Sequence, residues 1–258
     1  MKICALASGS NGNAYYIEHQ GEAILVDAGI SRRQLLQRMK EKRLNIACVK
    51  AVFISHEHAD HIRGFRVLCD MQKIPGYISQ QTMQKCRKDY LPDKVVLFNP
   101  GDVLRIGAFE IHCFAKQHDA ADPCSFRIQA GEVNVGVMTD IGASCDNVRN
   151  HLALCHAVFL ESNYDEQLLQ EGPYPYYLKK RVASDRGHLS NNQAVNLVEN
   201  INSERLHTIL LSHISADNNR PELAMNAFAH LNSRYRILPT NRYAPGEVLE
   251  IGETVGDK

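Results

Sequence analysis

Three histidines and an aspartate, all able to bind a metal, fall within six residues, His56-x-His58-x-Asp60-His61, directly after the apolar run Ala51–Ser55. Residues two apart on an extended segment point the same way, so His56 and His58 can grip one cation together. Where the chain curls into a helix near 62–71, Asp60 and His61 turn elsewhere and can hold a second. Imidazole mixed with carboxylate suits zinc, manganese or iron, whereas calcium asks for more oxygen. A solvated turn has no need of four such groups, so the segment reads as metal-binding. It demands a rigid scaffold whose strand ends converge on one place.

Three more residues stand where such a scaffold would put them. His118 follows a strand ending near Ala115, Asp140 ends the apolar strand 133–139, and His213 ends the strand 207–211. Each sits at the carboxyl end of its strand, as His56 does, where loops of a packed sheet gather. Together they make a set of seven, His₃ and His₂Asp with Asp140 shared. A weak internal echo aligns Val52–His61 with Ile209–Asn218, with Ser, His, Ala and Asp coinciding.

The rest of the pattern favours two packed sheets with helices on their outer faces. Strands are expected at 2–7, 14–19, 22–26, 94–98, 103–106, 109–115, 125–129, 156–160, 236–238 and 247–250. Gly107 and Gly131 suit hairpin turns. Helices are expected from Ser31 to about Lys42, at 176–184 and 191–201, and from Pro221 with Leu223, Phe228 and Leu231 inward. No window reads as a linker, so 1–258 is expected to be a single domain.

Lys plus Arg equal Asp plus Glu at 29 each. This excludes a wholesale polycation and leaves nucleic-acid contact to a local patch. No apolar run is long enough to span a membrane. The first apolar residues are too few for a signal-peptide core, which points to the cytoplasm. The eight cysteines include no C-x-x-C pair and read as small buried hydrophobes.

With these residues in place, the chain resembles the metallo-β-lactamase-fold hydrolases, whose signature H-x-H-x-D-H is His56, His58, Asp60 and His61. Their later motifs match His118, Asp140 and His213 in the same order. The resemblance implies a four-layer αββα sandwich of two mixed β-sheets carrying two divalent metal ions, Zn²⁺ or Mn²⁺ with iron an alternative. Ser8-Gly9-Ser10-x-Gly12-Asn13, Asp27-Ala28-Gly29, Glu161-Ser162-Asn163 and Gly187-His188-Leu189-Ser190-Asn191 are similar to the bacterial YycJ/WalJ branch. That likeness implies an exonuclease acting on DNA. A further resemblance, to RNase Z, implies that Glu161 supports His188 near the scissile phosphate. Leu160 departs from the histidine of that motif. Only 21 residues lie between His118 and Asp140, too few for the tRNA-gripping arm often inserted there.

The chemistry expected is phosphodiester hydrolysis. Asp140 would bridge the metals, Asp60 would bind and also orient the attacking water, and His188 would protonate the leaving oxygen with Glu161 raising its proton affinity. Tyr174, Tyr176 and Tyr177 beside Lys179, Lys180 and Arg181 read either as a single-strand stacking platform or as a helix with its tyrosine face buried. Arg32, Arg33, Arg38, Lys40, Lys42 and Arg43 read as a solvated helix face. Ser10, Asn11 and Asn13 either line the site mouth or only form the turn. Two rivals remain: a small-molecule phosphodiesterase, for example of cyclic phosphates, and a non-hydrolytic nucleic-acid-binding module.

Overall fold

Near-continuous apolar runs such as Val135–Met138, Ala157–Leu160 and Ile209–Leu211 demand burial on both faces, and each becomes an interior strand. The protein is described by a computed structural model over residues 1–253; the last five residues of the expected single-domain span lie outside it. One sheet is built from β1 (Lys2–Ala7), β2 (Ala14–His19), β3 (Glu22–Val26), β4 (Val49–Phe53), β5 (Gly76–Ser79) and β6 (Val95–Phe98). The second holds β7 (Val103–Ile106), β8 (Phe109–Ala115), β9 (Cys124–Ala130), β10 (Val133–Met138), β11 (Ala157–Glu161), β12 (Thr208–Ser212) and β13 (Arg236–Pro239). The short β14 (Leu249–Glu250) returns to the first sheet beside β1.

Both sheets are mixed. β3 through β6 run parallel, as do β10 through β13, while β1–β3 and β7–β10 are antiparallel meanders. Gly107 and Gly131 supply the positive φ, 55° and 57°, that the two expected hairpin turns need.

Helices α1 (Arg32–Glu41), α2 (Ala59–Ile62), α3 (Phe65–Gln72) and α4 (Gln80–Lys85) belong to the first half. In the second half come α5 (Asp146–Ala153), α6 (Glu166–Glu171), α7 (Tyr176–Val182), α8 (Asn191–Glu199) and α9 (Pro221–Ala227). Three apolar layers result. Between the sheets, Phe53 meets Phe126 edge-on at 5.6 Å and Tyr15 meets Phe159 at 4.8 Å. On the outer face of the first sheet, Leu35 and Met39 of α1 pack with Phe65 and Leu68 of α3. On the outer face of the second, Val148, Leu152, Val198 and Ala224 of α5, α8 and α9 cover Val158 and Ile209. This is the αββα sandwich expected from the sequence.

Several local expectations need correction. The strand placed at Ala51–Ser55 is Val49–Phe53, and the helix expected near 62–71 is two helices meeting at Gly64. In α9 the inward positions are Ala224 and Phe228; Leu223 and Leu231 are only half-buried. Arg38 is no mere solvated charge, because its guanidinium donates to the carbonyls of Leu6 and Tyr243 and ties α1 to the sheet. The eight cysteines are free, with Cys48, Cys86 and Cys145 half-buried and the others buried.

Candidate metal centre

All nine residues singled out from the sequence meet at one edge of the sandwich, beyond the carboxyl ends of β4, β8, β10, β11 and β12. His58 keeps extended backbone (φ −61°, ψ 140°) and caps α2, so His56 and His58 lie on extended chain while Asp60 and His61 lie on the helix. That is the change of direction the spacing implied.

Two groups of donors form. His56 Nε2 lies 3.1 Å from His58 Nδ1, and His118 Nε2 lies 3.4 Å from the same atom. In the second group, Asp60 Oδ2 is 3.5 Å from both His61 Nε2 and His213 Nε2. Asp140 stands between them. Its Oδ1 is 3.8 Å from His118 Nε2 and 3.5 Å from His213 Nε2, and its Oδ2 is 3.2 Å from His61 Nε2.

Supporting residues aim these rings. Asp27 Oδ2 lies 2.7 Å from His61 Nδ1; a carboxylate accepts, so Nδ1 carries the hydrogen and Nε2 faces Asp140. Asp27 also accepts from the Ser55 backbone N–H and hydroxyl, fixing the chain just before His56. His118 Nδ1 is set by the Gly187 carbonyl at 3.0 Å. Gly29 lets the loops close: a Cβ there would lie 1.6 Å from the Asp60 carbonyl oxygen, whereas the Asn13 N–H donates to that oxygen at 2.7 Å. Asn13, which the sequence left open, also reaches Asp60 Oδ2 through Nδ2 at 3.4 Å, while Ser10 lines the neighbouring cavity.

Glu161 is fully buried, not the solvent carboxylate that a strand end suggests. It accepts backbone N–H groups from Asp140, Ile141 and Leu189 and lies 2.8 Å from His188 Nδ1. Glu161 therefore lies within hydrogen-bond reach of His188, the condition on which its expected support of that histidine depends. The His188 loop is anchored from its other side by Ser190, which caps α8 in a capping box with Gln193.

The electrostatics are those of a dense, mutually compensated cluster. Burial holds the His56 imidazole well below its ordinary pKa and brings His118 down to about 3. Burial opposes ionisation of Glu161 too, but His188 and His213 outweigh it and hold the carboxyl at about 2. Burial would lower His213, yet Asp140, Asp60 and Glu161 raise it to about 10. Three non-glycine residues, Asp27 (φ 63°), Asp140 (φ 54°) and His213 (φ 55°), hold left-handed backbone where their strands enter the site. Such strain, of order 1–3 kcal/mol each, persists only where surrounding contacts impose it.

Divalent cations fit this donor set. Asp140 Oδ2 is buried without a hydrogen-bond partner; His61 Nε2 lies 3.2 Å away, but with the ring hydrogen on Nδ1 it has none to donate. An ionised oxygen left so costs several kcal/mol unless a cation compensates it. His56, His58 and His118 form one group able to hold an ion and Asp60, His61 and His213 another, while Asp140 joins His56 and His61 in a third and Glu161, His188 and His213 in a fourth.

Residues 22–214 match the β-lactamase superfamily domain. The chain belongs to that superfamily. Among its members, the exodeoxyribonuclease YycJ of Bacillus anthracis is 32% identical over 257 residues, covering 98% of this chain and 95% of that protein. The exodeoxyribonuclease WalJ of Streptococcus pneumoniae is 32% identical over 228 residues, covering 86% of this chain and 85% of its own. Among solved structures, the metallo-β-lactamase fold protein YhfI from Bacillus subtilis superposes with a TM-score of 0.71 at 17% identity, over 95% of this chain and 98% of that one. As a superfamily member with this His/Asp cluster, the chain is a metal-dependent hydrolase. Asp27 is the supporting residue that spacing alone misses; its signal is a carboxylate ending the apolar run Ala23–Val26.

Proposed function

We propose that the chain is a cytoplasmic DNA exonuclease working with two divalent cations, zinc or manganese, with iron an alternative. The observation that carries the dinuclear reading is Asp140, whose Oδ1 faces His118 of one group and His213 of the other, while its Oδ2, beside His61, has no hydrogen-bond partner. The exodeoxyribonuclease names of the relatives support DNA as substrate. Free thiols throughout the described residues support a reducing compartment. No helix of the described residues is long and apolar enough to cross a membrane.

His56, His58 and His118 would hold one cation, Asp60, His61 and His213 the other, and Asp140 both. When bound, such a pair polarises the phosphoryl oxygen and lowers the pKa of the attacking water towards neutrality. The chain's own groups do the rest. Asp60 orients the water and takes its proton. His188 donates from Nε2 to the departing oxygen, because Nδ1 is committed to Glu161 at 2.8 Å and the ring lines the adjoining cavity.

That cavity, about 170 Å³, favours one rival, a small-molecule phosphodiesterase. Tyrosines fully outside its rim, at positions 176 and 177, favour the polymer. The complete donor set argues against a purely binding module. A larger cavity of about 890 Å³ lies beside β1 and β14, lined by Lys2, His19 and Gly252, and has no part in this chemistry. Metal analysis followed by assays on end-labelled DNA, RNA and bis(p-nitrophenyl) phosphate tests the proposal. Hydrolysis of the small ester without cleavage of DNA under any metal would replace it with the phosphodiesterase.

A further inference from the structure

We propose that α7 is a stacking rib for the unpaired end of a DNA strand, an inference that rests on the nuclease reading above. α7 buries none of its residues. Its place is fixed by polar ties instead: Lys179 Nζ donates to the Gln170 carbonyl, the Arg181 guanidinium to Asp119, and the Val182 carbonyl accepts the His188 N–H. A helix held this way contributes little core, so its side chains are free to serve something outside.

Helical spacing divides α7 into two working sides. Leu178, Arg181 and Val182 wall the 170 Å³ cavity that His188 also lines. Tyr176, Lys179, Lys180 and Ala183 line a mainly apolar groove of about 540 Å³ on the opposite side, against Leu169 of α6. Tyr177 stands on the crest between them, 73% exposed, with Tyr176 at 72%. Lys180 Nζ lies 5.2 Å from the centre of the Tyr176 ring. The sequence allowed a buried tyrosine face; the structure turns both rings outward.

The occupant follows from chemistry and continuity. Flat exposed rings offer stacking faces to bases, and Lys180 and the neighbouring Arg186, which bonds only the neutral His118 carbonyl, offer charge to phosphates. A duplex keeps its bases stacked inside, so only an unpaired strand can use the tyrosines. The cavity beside His188 has room for part of one nucleotide and none for a base pair. The strand end therefore enters the cavity, and the following bases cross Tyr177 and settle on Tyr176. Glu166, the acidic group in the groove, is engaged by the Ser190 hydroxyl and Asn192 amide.

The test compares the double variant Tyr176→Ala/Tyr177→Ala with Tyr176→Phe/Tyr177→Phe, on a single-stranded oligonucleotide and on bis(p-nitrophenyl) phosphate. For the alanine pair, kcat/KM on the oligonucleotide should fall roughly 5- to 100-fold further than on the small ester, carried by KM. The phenylalanine pair, which keeps the stacking faces, should restore it. Lys180→Gln should flatten the slope of log KM against log salt by about 0.7. Equal losses on both substrates, or a phenylalanine pair no better than the alanine pair, would overturn the rib. A wild-type protein that hydrolyses the ester but no DNA would instead remove the nuclease reading itself, so the two failures are distinct.

Discussion

His188 Nδ1 lies 2.8 Å from Glu161 Oε1, and the same carboxylate accepts the backbone N–H of Asp140 at 3.1 Å. One buried side chain thus ties the residue between the two donor groups to the candidate acid. It does so from the end of β11, while Asp140 follows β10, its parallel neighbour. The distance between His188 and Asp140 is consequently set through a carboxylate that the sheet holds in place.

Glu161→Ala tests this tie through stability. Three buried N–H groups, of Asp140, Ile141 and Leu189, would lose their acceptor. At about 1–3 kcal/mol for each unsatisfied donor, the loss should exceed about 3 kcal/mol. Calorimetry should then show a Tm lower by roughly 6–12 °C. An unchanged Tm would show that water or a neighbour takes over all three donors, and the tie would be discarded.

The Asp27 support predicts an effect on metal affinity from a residue that is itself no ligand. Asp27→Asn keeps a residue that tolerates the left-handed φ of 63° but removes the charge facing His61. Loss of such a ring-orienting carboxylate typically costs 10–100-fold in metal affinity. Competition titration with a chromophoric chelator should show one weakened ion of two. Wild-type affinity for both would mean that Asp27 serves only to hold Ser55.

For Asp140 the readout is stoichiometry. Asp140→Asn also tolerates the left-handed backbone, yet it leaves two like cations with less negative charge between them. The purified variant should hold about one ion where the wild type holds about two, measured by elemental analysis. Two ions at full occupancy, with activity kept, would make the shared position wrong.

What could be read from the sequence followed the range of the interactions. His56, His58, Asp60 and His61 declare themselves because their donors are neighbours in the chain. His118, Asp140 and His213 were legible only as strand ends, and the fold brings those ends to one edge. Asp27 was marked only as part of a motif and not as a support, because its partner, His61, is 34 residues away. Glu161 closes Val158-Phe159-Leu160; its tie to His188 was legible only through the resemblance, because its burial depends on the His188 loop that covers it. β5 and α4 were missed because Gly76–Ser79 is too short to show alternation and α4 buries only Thr82. The internal echo ends at the histidines: His56 and His213 occupy matching strand ends, but Asp217 pairs with Tyr174 and has no place in the cluster.

His188 separates chemistry from metal binding. Its side chain is 21% exposed, and although it clusters with Asp140, Glu161 and His213 it belongs to neither group assigned to a cation, so His188→Ala should keep fold and metals. Without a proton donor, the departing alkoxide of a DNA phosphodiester should leave roughly 10²–10⁴ times more slowly. On bis(p-nitrophenyl) phosphate the loss should shrink, because nitrophenolate departs without a proton. His56→Ala, which damages a donor group, should instead fail on both substrates. The deciding number is the ratio of the two losses in the His188 variant, read in single-turnover assays with metal content checked in parallel. Equal losses, or a missing ion, would reduce His188 to a structural partner of Glu161 and leave the leaving oxygen to be protonated by water.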